Sequence, residues 1–140
     1  MWIVLALLSA VTAALVAVFG KLGLRTVDPT LATTVRAVLM AGFLVIASAA
    51  SGRLRGFSPG ALGGRDWLLL VAAAVAGALS WLCYFLALRD GPATAVAALD
   101  RLSLVVVVLA AALFLGEPLT GRMGAGVALM VAGAVLVAWR

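Results

Sequence analysis

Three charged residues, Arg36, Asp100 and Arg101, lie inside long apolar runs of this chain. An ionisable side chain in apolar surroundings is costly, so each is a candidate for binding, proton transfer or pairing with an opposite charge. If the runs are helices, Arg36 lies roughly 10 Å and Asp100 roughly 12 Å from the same side. Adjacent residues of a helix diverge, so Arg36 is a more credible partner for Asp100 than Arg101 is.

Two interpretations of these charges remain open. In the structural one, Asp100 and Arg36 form an ion pair, and Arg101 extends its guanidinium towards a polar rim. In the functional one, Asp100 binds a proton or a cationic group in alternation with a substrate.

Aromatic and hydroxyl side chains occur at the same depth. Trp81 and Tyr84 are three residues apart, which places them on one face of a helix, and Ser103 shares the Asp100 face. We therefore predict a polar and aromatic pocket beside the midplane of a helix bundle. Its candidate substrate-binding or coupling residues are Arg36, Trp81, Tyr84, Asp100 and Ser103.

Other chemistries find little support in the residues. The chain has no histidine and a single cysteine, Cys83, so we expect no bound metal, no cofactor and no internal disulfide. No nucleophile is paired with a base, which argues against an enzyme. No phosphate-cradling glycine loop is present, so any transport must be driven by a gradient rather than by ATP.

The elements that position these residues must be membrane helices. Of the residues, 66% are hydrophobic and only 11% are charged, against roughly half and a quarter in soluble domains. The net charge of +5 comes from basic residues that mostly stand singly between apolar runs, as in the flanks of membrane helices, so nucleic acid is a poor partner. The lipid bilayer is the expected surrounding.

Five apolar runs are long enough to cross a bilayer, which takes about 20 residues per helix. The sequence predicts an all-α integral membrane protein with one five-helix domain over residues 1–140. Glu117, just before the last run, is expected to favour the positive end of that helix. The predicted spans are Trp2 to Gly23, Thr30 to Ala50, Trp67 to Leu88, Ala93 to Leu115 and Leu119 to Trp139.

The positive charges outside the spans are balanced between the two sides. With five spans, four lie on the N-terminal side (Arg53, Arg55, Arg65, Arg122) and four on the opposite side (Lys21, Arg25, Arg89, Arg140). Because orientation follows asymmetry in this count, the balance predicts insertion in both orientations and antiparallel pairing of copies. Counting Arg36 and Arg101 gives six against four, and a fixed orientation with a weak bias stays the alternative.

Three stretches resemble a known family. They are Phe19 to Arg36, Tyr84 to Ser103, and Phe114-Leu-Gly-Glu-Pro-Leu-Thr120, which is the most specific of the three. They are similar to the EamA-like repeat of the drug/metabolite transporter superfamily. Most such proteins carry two repeats in ten helices, and this chain has one. The resemblance implies a homodimer, or a heterodimer with a similar half, that moves small metabolites or drugs across the inner membrane of a prokaryote.

The resemblance and the residues together favour a secondary transporter, an exporter, that works as a dimer by alternating access. The first span has no carboxylate, unlike the related four-helix multidrug exporters that rely on a glutamate there. Small residues at helical spacing, such as Gly126 and Gly133, are compatible with close helix pairing. The alternative is a non-transporting membrane subunit that pairs with another transporter half.

Overall fold

The computed structural model describes residues 1–139, and all of its regular elements are helical. Arg140, which the charge count places on the second side, lies outside the described residues. A short 3-10 helix, Pro59–Ala61, lies in the connector before α3, and a π-helical turn, Ala111–Leu115, follows α5. The α-helices are α1 (Trp2–Gly23), α2 (Pro29–Ala50), α3 (Gly64–Asp90), α4 (Ala93–Asp100), α5 (Ser103–Ala110) and α6 (Gly121–Ala138).

Five helical segments in this part of the chain are long and apolar enough to cross a membrane, and they match the five predicted runs. The fourth segment, Ala93–Leu115, is made of α4, α5 and the π-helical turn. Most large apolar side chains are exposed, and Leu136 for example is 76% exposed. The prediction of an all-α integral membrane protein is confirmed, with lipid as the medium that covers these side chains.

Polar residues at the helix starts explain where the spans begin. The Asp28 carboxylate accepts hydrogen bonds from the backbone N–H of Thr30 and Leu31, at 2.9 and 3.2 Å, and Pro29 occupies the first helical position of α2. In α6 the same role belongs to Thr120, whose hydroxyl accepts from the Met123 N–H at 3.2 Å.

Glu117 was expected at the positive end of the last helix, but α6 begins four residues later. Its first turn contains no acidic residue. The Glu117 N–H instead donates to the Ala111 carbonyl at 3.2 Å and so completes the end of the preceding segment. Gly116 lies between the two helices in the left-handed region, with φ +69°. The Gly-Glu-Pro turn is therefore a glycine-terminated helix end followed by a residue, Pro118, that cannot continue a helix.

The fourth span is not the uniform α-helix that its composition suggests. After Asp100 the backbone N–H groups of Arg101 and Leu102 bond to the carbonyls three residues earlier, at 3.2 and 2.9 Å, and α5 starts at Ser103. This tighter 3-10 pattern has three residues per turn, so it aligns Asp100 and Ser103 along one side of the segment. Their predicted common face agrees with this geometry.

The chain forms two compact units. The first unit comprises Met1–Leu22 and the chain from Asp90 onward. In it α4 packs against α6, and its buried apolar residues are all alanines: Ala17, Ala95, Ala111 and Ala134. Small buried residues let helix backbones approach closely where lipid offers no hydrophobic drive for association.

A charged contact ties α1 to the connector before α4 within this first unit. The Lys21 ammonium, in the last turn of α1, donates to the Gly91 carbonyl at 2.8 Å. Because Gly91 stands just before the start of α4, this bond holds the entry of the fourth span against the end of the first.

The second unit is Gly23–Arg89, which contains α2 and nearly all of α3. Leu24, Phe85 and Leu88 are buried in it. The prediction of one domain over residues 1–140 stays a prediction.

Candidate functional site

The second unit contains a cavity of about 520 Å³ between α2 and α3. This volume lies within the range of small-molecule sites in proteins, roughly 300–1,000 Å³. Its polar lining is Thr30, Thr33, Thr34 and Arg36, and its remaining lining is Ala37, Met40, Ala74, Gly77, Ala78, Trp81 and Leu82.

Helical spacing explains why these residues meet. On α3 the lining positions Ala74, Gly77, Ala78 and Trp81 follow the i, i+3, i+4, i+7 pattern of one helix face. Three of the four are glycine or alanine, so the space opposite α2 stays open. A Cβ atom added to Gly77 would meet nothing within 4 Å.

The cavity extends deep into the membrane span. Its α2 lining begins at Thr30, one residue after the helix start, and ends at Met40, roughly 15 Å further along a helix of about 33 Å. The space thus runs along about the first half of the second span.

Arg36 and Trp81, predicted to share a pocket, are in direct contact. The Arg36 Cζ atom lies 3.6 Å from the centre of the Trp81 ring, and 5.8 Å from that of Phe85. At 3.6 Å the guanidinium rests against the indole face, which attracts a cation through the ring quadrupole. The Trp81 ring therefore stabilises the Arg36 charge inside the span.

The tryptophan is itself fixed by two neighbouring rings. Its ring centre lies 5.6 Å from that of Tyr84 and 5.9 Å from that of Phe85, both in edge-to-face geometry. Phe85 is only 4% exposed and anchors this aromatic cluster in the unit. Tyr84, three residues after Trp81, contacts its ring and is not among the residues that line the cavity, so its predicted part in binding or coupling stays a prediction.

The threonine hydroxyls present acceptors to the cavity. Thr33 Oγ1 donates to the Pro29 carbonyl at 2.7 Å, and Thr34 Oγ1 donates to the Thr30 carbonyl at 2.8 Å. Since each hydroxyl has one proton, both protons are used within α2 and the oxygen lone pairs remain.

The structure describes every residue of the second unit, and no carboxylate there neutralises Arg36. The two carboxylates there, Asp28 and Asp66, accept backbone N–H groups near the starts of α2 and α3. Within this unit the face of the guanidinium contacts the Trp81 and Phe85 rings. The N–H donors along its edge remain available to another group.

Asp100 and Ser103 belong to the first unit, where both are exposed at the 3-10 turn of the fourth span. Their union with Arg36, Trp81 and Tyr84 in one pocket stays a prediction, and so does the Arg36–Asp100 ion pair.

The first unit has a smaller cavity of about 230 Å³. Its lining comes from the fourth and fifth spans and is apolar apart from Thr120, whose hydroxyl accepts a hydrogen bond at the start of α6. It offers no charged group to a ligand, so the α2–α3 cavity is the better candidate.

Sequence reasoning missed Phe85 and most of the cavity lining. The signal was present in part: Thr30, Thr33 and Thr34 lie on the helix face that also carries Ala37. Alanine-rich helices repeat such patterns by chance, so the pattern alone could not tell a cavity wall from a lipid-facing surface.

Comparison with known proteins agrees with this architecture. The sequence profile of the EamA-like transporter family matches residues 1–139. A protein of Sinorhizobium sp., described as an uncharacterized transporter in the cobO 3' region, is 43% identical over 137 residues, which cover 98% of this chain and 96% of that protein. No solved structure matches the chain significantly.

Proposed function

Because the chain belongs to the EamA-like transporter family, we propose that it is a secondary transporter that exports small metabolites or drugs across the inner membrane of a prokaryote. The observation that carries the proposal is the α2–α3 cavity. It combines the volume of a small-molecule site with a charged side chain roughly 10 Å inside a span. A charged residue at this depth is costly and is therefore a functional-site candidate by default.

The proposal includes pairing of two five-helix halves. Asp100 and Ser103 are exposed on the single chain, at the 3-10 turn inside a span. An ionisable side chain at membrane depth almost always faces the interior of a helix bundle or a water-filled cavity. A second half, identical or similar and in the opposite orientation, would provide that interior.

Two further observations support pairing. Gly126 and Gly133 of α6 have nothing within 4 Å of an added Cβ atom, so this small-residue face is unoccupied by the chain itself. The chain covers 96% of the length of the Sinorhizobium relative, so one such repeat accounts for nearly all of that protein.

Alternating access would use the interrupted fourth span. A 3-10 stretch within a helix often marks a hinge, and discontinuous helices commonly form transporter sites. In the proposed cycle Asp100, at this hinge, binds a coupling proton or cation in alternation with the substrate, and the cavity opens to one side at a time.

The test uses the purified full chain in liposomes that contain a pH-sensitive dye. Solutes are screened for flux that moves protons, and the screen is repeated with a sodium gradient. Gly77→Leu fills the cavity and is expected to lower flux of any active solute at least about tenfold, a loss of roughly 1.4 kcal/mol in binding. Gly42→Leu is the matched control, because Gly42 lies in α2, does not line the cavity and has open space around it.

Equal flux through wild type and Gly77→Leu would contradict transport through this cavity. If the chain alone moves no solute but does so with a similar half, the working unit is a heterodimer. If the chain moves no solute and only raises the amount of another protein that does, it is a non-transporting partner subunit, and the proposal is rejected.

A further inference from the structure

We propose that the α2–α3 cavity takes a small organic monoanion, a carboxylate on an apolar body, with Arg36 as the group that binds the carboxylate. This inference rests on the proposed transport function and names its substrate class. It follows from charge, from donor geometry and from the shape of the lining.

The charge of the cavity selects an anion. Arg36 is the one charged residue among the eleven that line it, and arginine keeps its charge in proteins. The carboxylates of the same unit are engaged at helix starts, so they leave this charge unbalanced within the unit. A single guanidinium matches a ligand with one negative charge better than a phosphate dianion.

The orientation of Arg36 selects a planar acceptor. Its face is occupied by Trp81 at 3.6 Å, so its N–H groups point outward in the plane of the guanidinium. Two of these donors fit the two oxygens of a carboxylate in parallel hydrogen bonds. Trp81 thereby fixes the orientation of these two N–H donors before the ligand binds.

The rest of the lining selects an apolar body. Ala74, Gly77 and Ala78 form a smooth wall beside Trp81, and Met40 lies at the deep end of the α2 lining. The hydroxyl protons of Thr33 and Thr34 are used within α2, so these side chains add no donors for the anion. Arg36 is therefore the charged donor for the carboxylate, while the body of the ligand contacts mostly carbon.

The test measures equilibrium binding of radiolabelled benzoate to the purified full chain in dodecyl maltoside, a detergent without charge. Benzyl alcohol and benzylamine are the neutral and cationic probes of the same shape. We expect benzoate to bind at least about tenfold more tightly than either, since a hydrogen bond to a charged group contributes on the order of that factor or more. Equal affinities for the three probes would overturn the proposal.

Arg36→Met removes the charge and retains an apolar chain, and it is expected to abolish the preference for benzoate over benzyl alcohol. Arg25→Met is the matched control, because Arg25 is exposed in the connector between α1 and α2. It should bind as wild type does. If Arg36→Met does not fold, Gly77→Leu tests the same site, with loss of benzoate binding expected and unchanged binding contradicting the proposal.

A lipid headgroup could offer a similar anion, and phosphatidylglycerol is therefore added as a competitor. Benzoate binding that persists at an equal concentration of this lipid supports a free solute, and displacement would overturn it. Binding does not require transport, so the two proposals fail separately. Benzoate that binds through Arg36 without any flux rejects transport, whereas flux of cations alone rejects the monoanion.

Discussion

Arg36 illustrates how one residue can keep a charge at membrane depth without an acidic partner in its own unit. Its guanidinium lies against the face of Trp81, whose ring is fixed by Tyr84 and Phe85. The aromatic face lowers the cost of taking the charge out of water, while the N–H edge stays available. In the proposed site this guanidinium is the group that binds the ligand.

The sequence identified Arg36, Trp81 and Tyr84 as neighbours but did not predict that the Arg36 guanidinium lies against an aromatic ring. Charge complementarity pointed to Asp100, and that ion pair stays a prediction, whereas within its own unit Arg36 contacts an indole ring on α3. Cation–π contacts depend on the relative rotation of two helices, and periodicity within each helix leaves that rotation undetermined. The contact between Trp81 and Tyr84 was predictable because their spacing lies within one helix.

Asp100 is the coupling residue in the proposed cycle, and its neutral analogue tests that role. Asp100→Asn is expected to abolish coupled transport, because an amide neither takes up a proton nor balances a cation. Insertion and dimer formation should persist, as measured by native electrophoresis of detergent extracts. Glu117→Gln, a carboxylate change outside the spans, should retain transport, and unchanged flux in Asp100→Asn would leave Asp100 with a structural role.

At the level of elements, the five spans were predictable and their irregularities were not. Apolar length and flanking residues such as Asp28 and Pro118 define where helices begin and end. The change from α to 3-10 bonding after Asp100 needs no glycine or proline, so it has no strong local signature. The polar residues inside this apolar run are the only sequence feature that marks the place where the helix changes its hydrogen bonding.

The helix end at Gly116 provides a prediction for one element. With φ +69°, Gly116→Ala forces a side chain into the left-handed region, at roughly 1–2 kcal/mol, and should lower the midpoint of thermal unfolding in detergent. Gly42→Ala is the control, since Gly42 lies inside α2 with open space around it and alanine is the better helix former there. Equal midpoints for the two variants would contradict a conformational requirement at Gly116.

For the whole molecule, composition decided the medium before any motif was considered. With 66% hydrophobic residues and most large apolar side chains exposed, only lipid can solvate the folded chain. Neither the assembly nor the orientation follows from that fact. Both depend on surfaces and charges outside the spans, which is why the balanced count of positive residues is the informative feature.

Orientation in the membrane is predicted to be mixed and to respond to the connector between α2 and α3. Full-length chains carry at the C-terminus either a fluorescent protein that is active inside the cell or a phosphatase that is active outside. Wild type should give both signals. Arg53→Ser with Arg55→Ser reduces the positive charges of the N-terminal side from four to two. The opposite side, which includes the C-terminus, should then stay inside, so fluorescence rises and phosphatase activity falls.

Arg53→Lys with Arg55→Lys is the matched control for this pair, because it keeps both charges at exposed positions of the same turn. It should reproduce the mixed signals of wild type. The reasoning depends on charge alone, since neither arginine lines the cavity. A wild-type chain that activates a single reporter would require a fixed orientation, and the two halves would then have to pair in parallel or with a different partner chain.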